Sequence, residues 1–220
     1  NGHTWLDSKL DDDRIEHSRL FHRICDGNRI TLTECKRSDA TLYDWYCSIS
    51  RGGFRYDRPF DEVLQEAKTF FKNEFFPDYV LCIDHDLRKK INRTHNEILK
   101  NDAVWVEAPK LKCPNQPQDF WLYRGQVLQA HTYSSKKMKN GLFYEVTDYD
   151  EENVYFGPLV VNKSWVAKTC RLTHCLTISS SQGRTLHGKI KIVTCHRRFT
   201  MKHLYICLSR ATAAENVWVV

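Results

Sequence analysis

The stretch "SSSQGRTLHGKIKIV", residues 179 to 193, decides how this chain is read. Gly183, four residues, then Gly188 and Lys189 form the frame of a phosphate-binding loop with its last letter changed. Such a loop curls backbone N–H groups around phosphate oxygens, sends a lysine to the terminal phosphates and gives a Ser or Thr hydroxyl to Mg²⁺. Here the hydroxyl position is Ile190, which cannot ligate a metal. The loop should also open a helix. Gly188 instead leads into KIKIVTC, alternating and β-branched, which predicts a strand. The stretch is therefore a turn feeding a strand, and its role has to come from what surrounds it.

On its flanks the pattern is strand and helix in alternation. RLTHCLTIS (171–179) reads as a strand, TMKHLYICLSRAT (200–212) as a helix capped by Thr200, and NVWVV (216–220) as a last buried strand. Far upstream, residues 79–83 form a nearly all-apolar strand that runs into a helix carrying Leu87, Ile91 and Ile98, capped by Asp84 or Asp86. Continuous apolar strands feeding helices belong to a buried parallel sheet. Earlier still, residues 14–25 place Ile15, Leu20, Phe21 and Ile24 on one helical face, with Gly27 as its end. A strand over 30–35 comes next, then a helix over 40–50 capped by Ser38 or Asp39 and a glycine-rich turn over 51–59. A helix from Phe60 then buries Val63, Leu64, Ala67, Phe70 and Phe71.

The middle of the chain differs. Residues 108–118 carry three prolines and read as a linker. From Phe120 to Val161 short alternating segments are separated by turns, with Asn140-Gly141 a strong hairpin signal. No helical period interrupts them, which predicts a small antiparallel barrel inserted in an α/β domain. Trp121, Tyr123 and Tyr133 could stack on bases; aromatics in such a block more often fill its core.

The 220 residues are 41% hydrophobic and 12% aromatic, a globular composition, and no apolar run reaches the roughly 20 residues of a membrane span. The polar, acidic start NGHTWLDSKLDDD does not read as a secretory signal; with no initiating Met, it suggests a piece of a longer protein. Lys and Arg total 33 against 27 acids, a net +6 that permits a polyanionic partner without requiring one. Nine scattered Cys without a CxxC pair fit a reducing, intracellular compartment. Cys82, Cys195 and Cys207 lie in apolar runs as small hydrophobes. Cys170, His174 and Cys175 have no second pair at metal spacing, so no metal site is expected.

Three separated stretches carry a resemblance. LTHCLTISSSQGRT (172–185) resembles "A-x-T-I-H-K-S-Q-G-x-T", motif V of superfamily 1 helicases of the RecD and Pif type. LYICLSRAT (204–212) resembles their motif VI, "L-Y-V-A-L-T/S-R", and LTECKRSDATLYDWYCSISRGG (32–53) their motif IV region. In that family an SH3-like barrel is inserted in the second RecA-like lobe between motifs IV and V, where the β-only block lies here. The resemblance implies an α/β fold: a RecA-like parallel-sheet lobe in two parts, 1–108 and 165–220, with a linker and SH3-like barrel over 109–164. It also implies the C-terminal motor lobe of an ATP-dependent DNA helicase. Its partners are single-stranded DNA and a first RecA-like lobe holding the phosphate loop and the Mg²⁺ carboxylates. ATP and Mg²⁺ would serve the full-length enzyme; none is expected bound to this chain, which alone would be inactive. Ser179 and Ser180 stand where the family has His and Lys, and Ser38 where the Pif branch has Gln. These departures suggest a viral or otherwise divergent member. A non-catalytic nucleic-acid-binding or interaction module derived from such a helicase is the rival reading.

Site residues are implied by the matched motifs. Arg210 could be a helix-end arginine favoured by the dipole; the resemblance makes it an arginine finger on a transferring phosphoryl group. Arg37 is implied as a second phosphate arginine. Gln182 becomes a polar sensor near phosphate, with Gly183 allowing close backbone approach. Thr177, Ser179 and Ser180 offer hydroxyls suited to strand phosphates, or to caps. Asn92 and Asn96, on the helix after residues 79–83, read as structural, Asn92 tying that helix to a neighbouring loop.

Overall fold

A computed structural model of the chain describes residues 19–26, 28, 35–49, 58–112, 115–131 and 138–220. The expected Gly27 cap, most of the strand over 30–35, the turn at 51–57 and Tyr133 lie outside them. Among the described residues no helix is long and apolar enough to cross a membrane.

Four strands form an all-parallel sheet in the order β10-β1-β11-β12: β1 (Tyr79–Cys82), β10 (Cys175–Thr177), β11 (Ile190–Ile192) and β12 (Val217–Val219). Leu81 pairs in register with both Leu176 and Ile192, and Ile192 with Val219. Their face is covered by helices α2 (Ala40–Ser48), α3 (Phe60–Phe70) and α7 (Met201–Leu208), through Leu42, Val63, Ala67, Leu204 and Leu208. Each fully buried Leu or Ile contributes about 1.5–3 kcal/mol. On the other face Val80, Cys82 and Cys175 meet Leu87 and Ile91 of α4 (His85–Ile98). The expected caps form: Asp39 Oδ1 and Asp84 Oδ1 each accept from a backbone N–H in the first turn of their helix, at 2.7 Å. Thr200 starts α7, with His203 Nδ1 accepting from the Thr200 N–H at 3.1 Å.

The turn into β11 is built on Gly188, at φ +117°, where a Cβ would run into the Asp78 carboxylate. Asp78 instead closes on the backbone there, its Oδ2 accepting from Lys189 N at 2.7 Å. Backbone approach is what this glycine supplies, and it leads into a strand, as Ile190 at the hydroxyl position implied.

Between β1 and β10 the chain makes short antiparallel sheets: β2 (Val104–Val106) with β3 (Phe120–Leu122), and β4 (Val127–Ala130) between β5 (Phe143–Glu145) and β9 (Cys170–Leu172). A third joins β6 (Asp148–Tyr149), β7 (Asn153–Phe156) and β8 (Leu159–Asn162). They share a core of Phe120, Leu122, Leu128, Met138, Val154 and Val161, which also takes in Val106 and, from α5 (Lys163–Thr169), Val166.

Several expectations change. Residues 171–179 hold two strands, ending at Leu172 and Thr177, and then the start of a short helix. β9 is antiparallel to β4, and β10 parallel to β1, because the chain crosses between sheets at Thr173-His174. Trp121 and Tyr123 are not core residues. They alternate with buried Leu122 and are themselves only partly buried, Trp121 lying beside Trp105 and under Lys100 and Tyr123 lining a cavity with His95 and His174. The first described helix, α1 (Arg19–Ile24), exposes Leu20 and Ile24. Phe70 and Ile98 are also exposed, and α3 ends at Phe70. Cys195 is exposed because the strand has ended before it.

Candidate functional site

The C-terminal end of α7 is where the matched motifs meet. Arg210 lies just past the helix, and its guanidinium donates from Nη2 to Ser209 Oγ at 2.9 Å, from Nε to Ile206 O at 3.2 Å and from Nη1 to Arg184 O at 3.2 Å. Arg37 Nη1 donates to Ser209 O at 3.1 Å. Two arginines from opposite ends of the chain thus share one serine. The segment before α2 is stitched to the one after α7: Ser38 Oγ donates to Ala211 O at 3.0 Å, Asp39 N to Thr212 O at 2.9 Å, and Ala214 N to Asp39 Oδ2 at 2.8 Å. Helix α2, capped and packed on α7, fixes where Arg37 stands.

No carboxylate pairs with either arginine among the described residues, whose ion pairs are Arg58–Glu66, Lys89–Asp86, Lys100–Glu97 and Arg124–Asp148. Burial, and then the nearby charge of Arg37, hold the Arg210 guanidinium below its ordinary value. Two cations held together by backbone and hydroxyl acceptors, one partly desolvated, make a place that favours an anion. This chemistry suits a phosphate group. Among the described residues no cluster of three His, Cys, Asp or Glu could hold a metal ion.

The loop 182–186 joins this spot through its backbone. Leu186 N donates to Arg210 O at 2.9 Å, and Arg184 O accepts from the Arg210 guanidinium. Gln182 itself is exposed, and Gly183 adopts φ +76°. The bonds to Arg210 therefore run through Arg184 and Leu186, downstream of the expected sensor. Thr177 is buried and serves as the N-cap of the short helix α6 (Ile178–Ser181), its Oγ1 accepting from Ser180 N at 3.3 Å. Ser180 Oγ turns back to Thr177 O at 2.9 Å, so the cap reading describes both hydroxyls; Ser179 is exposed on the same turn.

Arg184 carries a role that sequence reading missed. Its Nε donates to Ser180 O at 2.9 Å, its Nη2 to Gly141 O, and its guanidinium lies 4.4 Å from the centre of the Phe143 ring. It thereby links the loop after β10 to the Asn140-Gly141 turn of the antiparallel unit. Its occurrence within the motif was the one available signal, since the position is variable in the family pattern.

Asn92 and Asn96 prove to be backbone clamps. Asn92 donates to Cys175 O at 2.9 Å and Leu172 O at 3.3 Å, and accepts from Cys175 N at 2.7 Å. Asn96 exchanges bonds with Trp121, donating to its O at 2.9 Å and accepting from its N at 2.7 Å. The first fixes the crossing from β9 to β10, and the second ties α4 to β3.

No known family profile and no curated protein matches this sequence. Solved structures do. The chain superposes on a Pif1 helicase from Candida albicans with a TM-score of 0.58 at 16% identity, covering 83% of this chain and 53% of that one. Against a Bacteroides Pif1 bound to single-stranded DNA the TM-score is 0.58 at 18% identity, with 86% and 51% covered. For a Bacteroides Pif1 in complex with ADP-AlF3 and single-stranded DNA it is 0.55 at 19% identity, again with 86% and 51%. The chain thus has the fold of part of a Pif1 helicase and spans about half the length of these proteins.

Proposed function

We propose that this chain is the second RecA-like lobe of a superfamily 1 DNA helicase, with an SH3-like barrel inserted in it, and that it works with a first lobe to couple ATP hydrolysis to movement along single-stranded DNA. The observation that carries this reading is the convergence of Arg37 and Arg210 on Ser209 with no carboxylate partner among the described residues. ATP would supply the phosphoryl group whose transfer drives the cycle, and Mg²⁺ would be held outside this lobe. Arg210 would stabilise the charge that develops on that group, and Arg37 would hold it in place. Gln182 and Gly183 would line the approach, since their loop is tied to Arg210 through Arg184 and Leu186. Closure on the nucleotide would then move α6 and its flanking hydroxyls, Thr177, Ser179 and Ser180, along the strand phosphates. Arg184 would pass that movement to the inserted unit. The lobe would comprise 1–108 and 165–220 around an insertion at 109–164, with β2 and β9 as the lobe's strands of contact with it. A reducing, intracellular site of action accords with the cysteine usage.

The nucleic-acid half of this reading is tested by fluorescence anisotropy of a labelled oligothymidylate with the 220-residue chain. Binding should be weak, indifferent to sequence and steeply reduced by salt, because phosphate contacts release counterions. Binding that ignores salt, or none at low salt, would overturn it.

A further inference from the structure

Helix α4 buries an unusual stripe. Arg88, Asn92 and Asn96 are 4%, 1% and 4% exposed, while the apolar Ile98 on the same helix is in solvent. Residues at this i, i+4 spacing share one helical face. Asn92 and Asn96 are engaged as backbone clamps. Arg88 is different: its Nε and Nη2 are buried with no hydrogen-bond partner among the described residues. The acids nearest to it in sequence are occupied elsewhere, Asp84 as the cap on Leu87 N and Asp86 on Lys89. Guanidinium N–H groups removed from water without an acceptor are among the least favourable groups a fold can bury, so an acceptor beyond the described residues is the natural completion.

Its position says what kind. Arg88 lies in the first turn of α4, just beyond the C-terminal end of β1, and Cys82 at that end is the register partner of Thr177. Arg88 therefore stands near the same sheet rim as α6. Another cation lies near it: burial, and then the charges of Arg171 and Arg88, hold His131 below its ordinary value, and Arg171 is itself buried, while the thiols of Cys82 and Cys175 flank Arg88 on the sheet side. We propose that Arg88 receives a backbone phosphate of single-stranded nucleic acid, extending the strand path from the α6 rim under the antiparallel unit. This rests on the nucleic-acid reading under Proposed function and adds a residue outside the matched motifs. A planar, always-charged fork suits a phosphodiester and carries no base preference.

The test compares the wild-type chain with Arg88→Met and Arg88→Lys, by oligothymidylate anisotropy across a salt series and by thermal unfolding with inorganic phosphate. Arg88→Met should fold at least as stably as wild type, since it removes an unpaired buried charge, yet bind about tenfold more weakly. Its logarithmic salt slope should be shallower by about one. Arg88→Lys should keep the slope and lose affinity, because the charge stays and the fork goes. If Arg88→Met does not fold, the lysine variant decides, and unchanged affinity in it overturns the proposal. Wild-type binding with both variants indistinguishable from it also overturns it while leaving the DNA reading intact. No binding by wild type at low salt removes both. Phosphate stabilising wild type but not Arg88→Met, with oligonucleotide binding equal in the two, identifies a free-anion pocket and overturns the nucleic-acid assignment.

Discussion

The parallel sheet and the antiparallel unit are ordered in opposite ways. Strands β1, β10, β11 and β12 pair across long stretches of chain, are largely apolar and are packed between helices. The strands from β4 to β8 pair mostly with neighbours in sequence, alternate buried with less buried residues and keep a core of their own. Because parallel strands need distant connections, the parallel half gathers loops from remote segments at one place. Arg37, the loop 182–186 and Arg210 are such segments, and they meet. The antiparallel unit contributes no candidate phosphate-binding residue, but it touches that place through Gly141 and Arg184.

The largest effect should fall on the parallel half alone. Arg210→Lys in the full-length protein should lower ATP turnover by about 10³-fold while nucleotide binding persists, because lysine keeps the charge and loses the fork. Steady-state hydrolysis beside an equilibrium nucleotide titration measures both; wild-type turnover would break this division between the halves.

A second substitution probes the crossing between the halves. Asn92→Ala leaves Cys175 N, Cys175 O and Leu172 O without their side-chain partner in a buried setting, a loss of about 3 kcal/mol. Urea denaturation should show it as a lower midpoint. A single transition would mean the two halves unfold as one unit, and two resolved transitions would mean this clamp is what couples them.

The smallest effect is a pH dependence at the other side of the crossing. His95 and His174 stack with ring centres 3.4 Å apart, and burial, then the proximity of His95, pushes His174 from an ordinary 6.5 down to about 4. Burial lowers His95 as well. A histidine with a depressed folded value takes up its proton more readily when unfolded. The stack's contribution is therefore fully present above about pH 6.5 and is lost as pH falls towards 4. The denaturation midpoint should drop over that window, and His174→Phe should flatten the drop. An equal slope in the variant would place the acid sensitivity elsewhere.

Much of this was legible in the residues. Apolar runs at 79–82 and 190–192, Asp39 and Asp84 as caps, and the strand after Gly188 all depend on local rules: side-chain period, a short acceptor before a helix, and a glycine where backbones crowd. The arginines were singled out by the motif resemblance, since a helix-end arginine alone says nothing of phosphate. The misreadings arose where burial depended on a distant partner. Leu87, Ile91 and Ile98 form the apolar stripe that periodicity displays on α4; Leu87 and Ile91 do pack on the sheet, but Ile98 stands in solvent. Beside them the fold buries Arg88, Asn92 and Asn96 more deeply, and Asn92 and Asn96 find backbone groups there on Leu172, Cys175 and Trp121. Likewise 171–179 has the pattern of one strand, and only the pairing of its first part with β4 and its second with β1 divides it. The sequence by itself determined the strands at 79–82, 190–192 and 217–219 and the helices after Asp39, Pro59, Asp84 and Thr200, but not the helix over 163–169 or the short strand over 104–106. The tertiary structure decided which polar residues of α4 are buried, where the chain changes sheets and that Arg184 bridges the halves, because most buried polar side chains need a particular distant group to satisfy them.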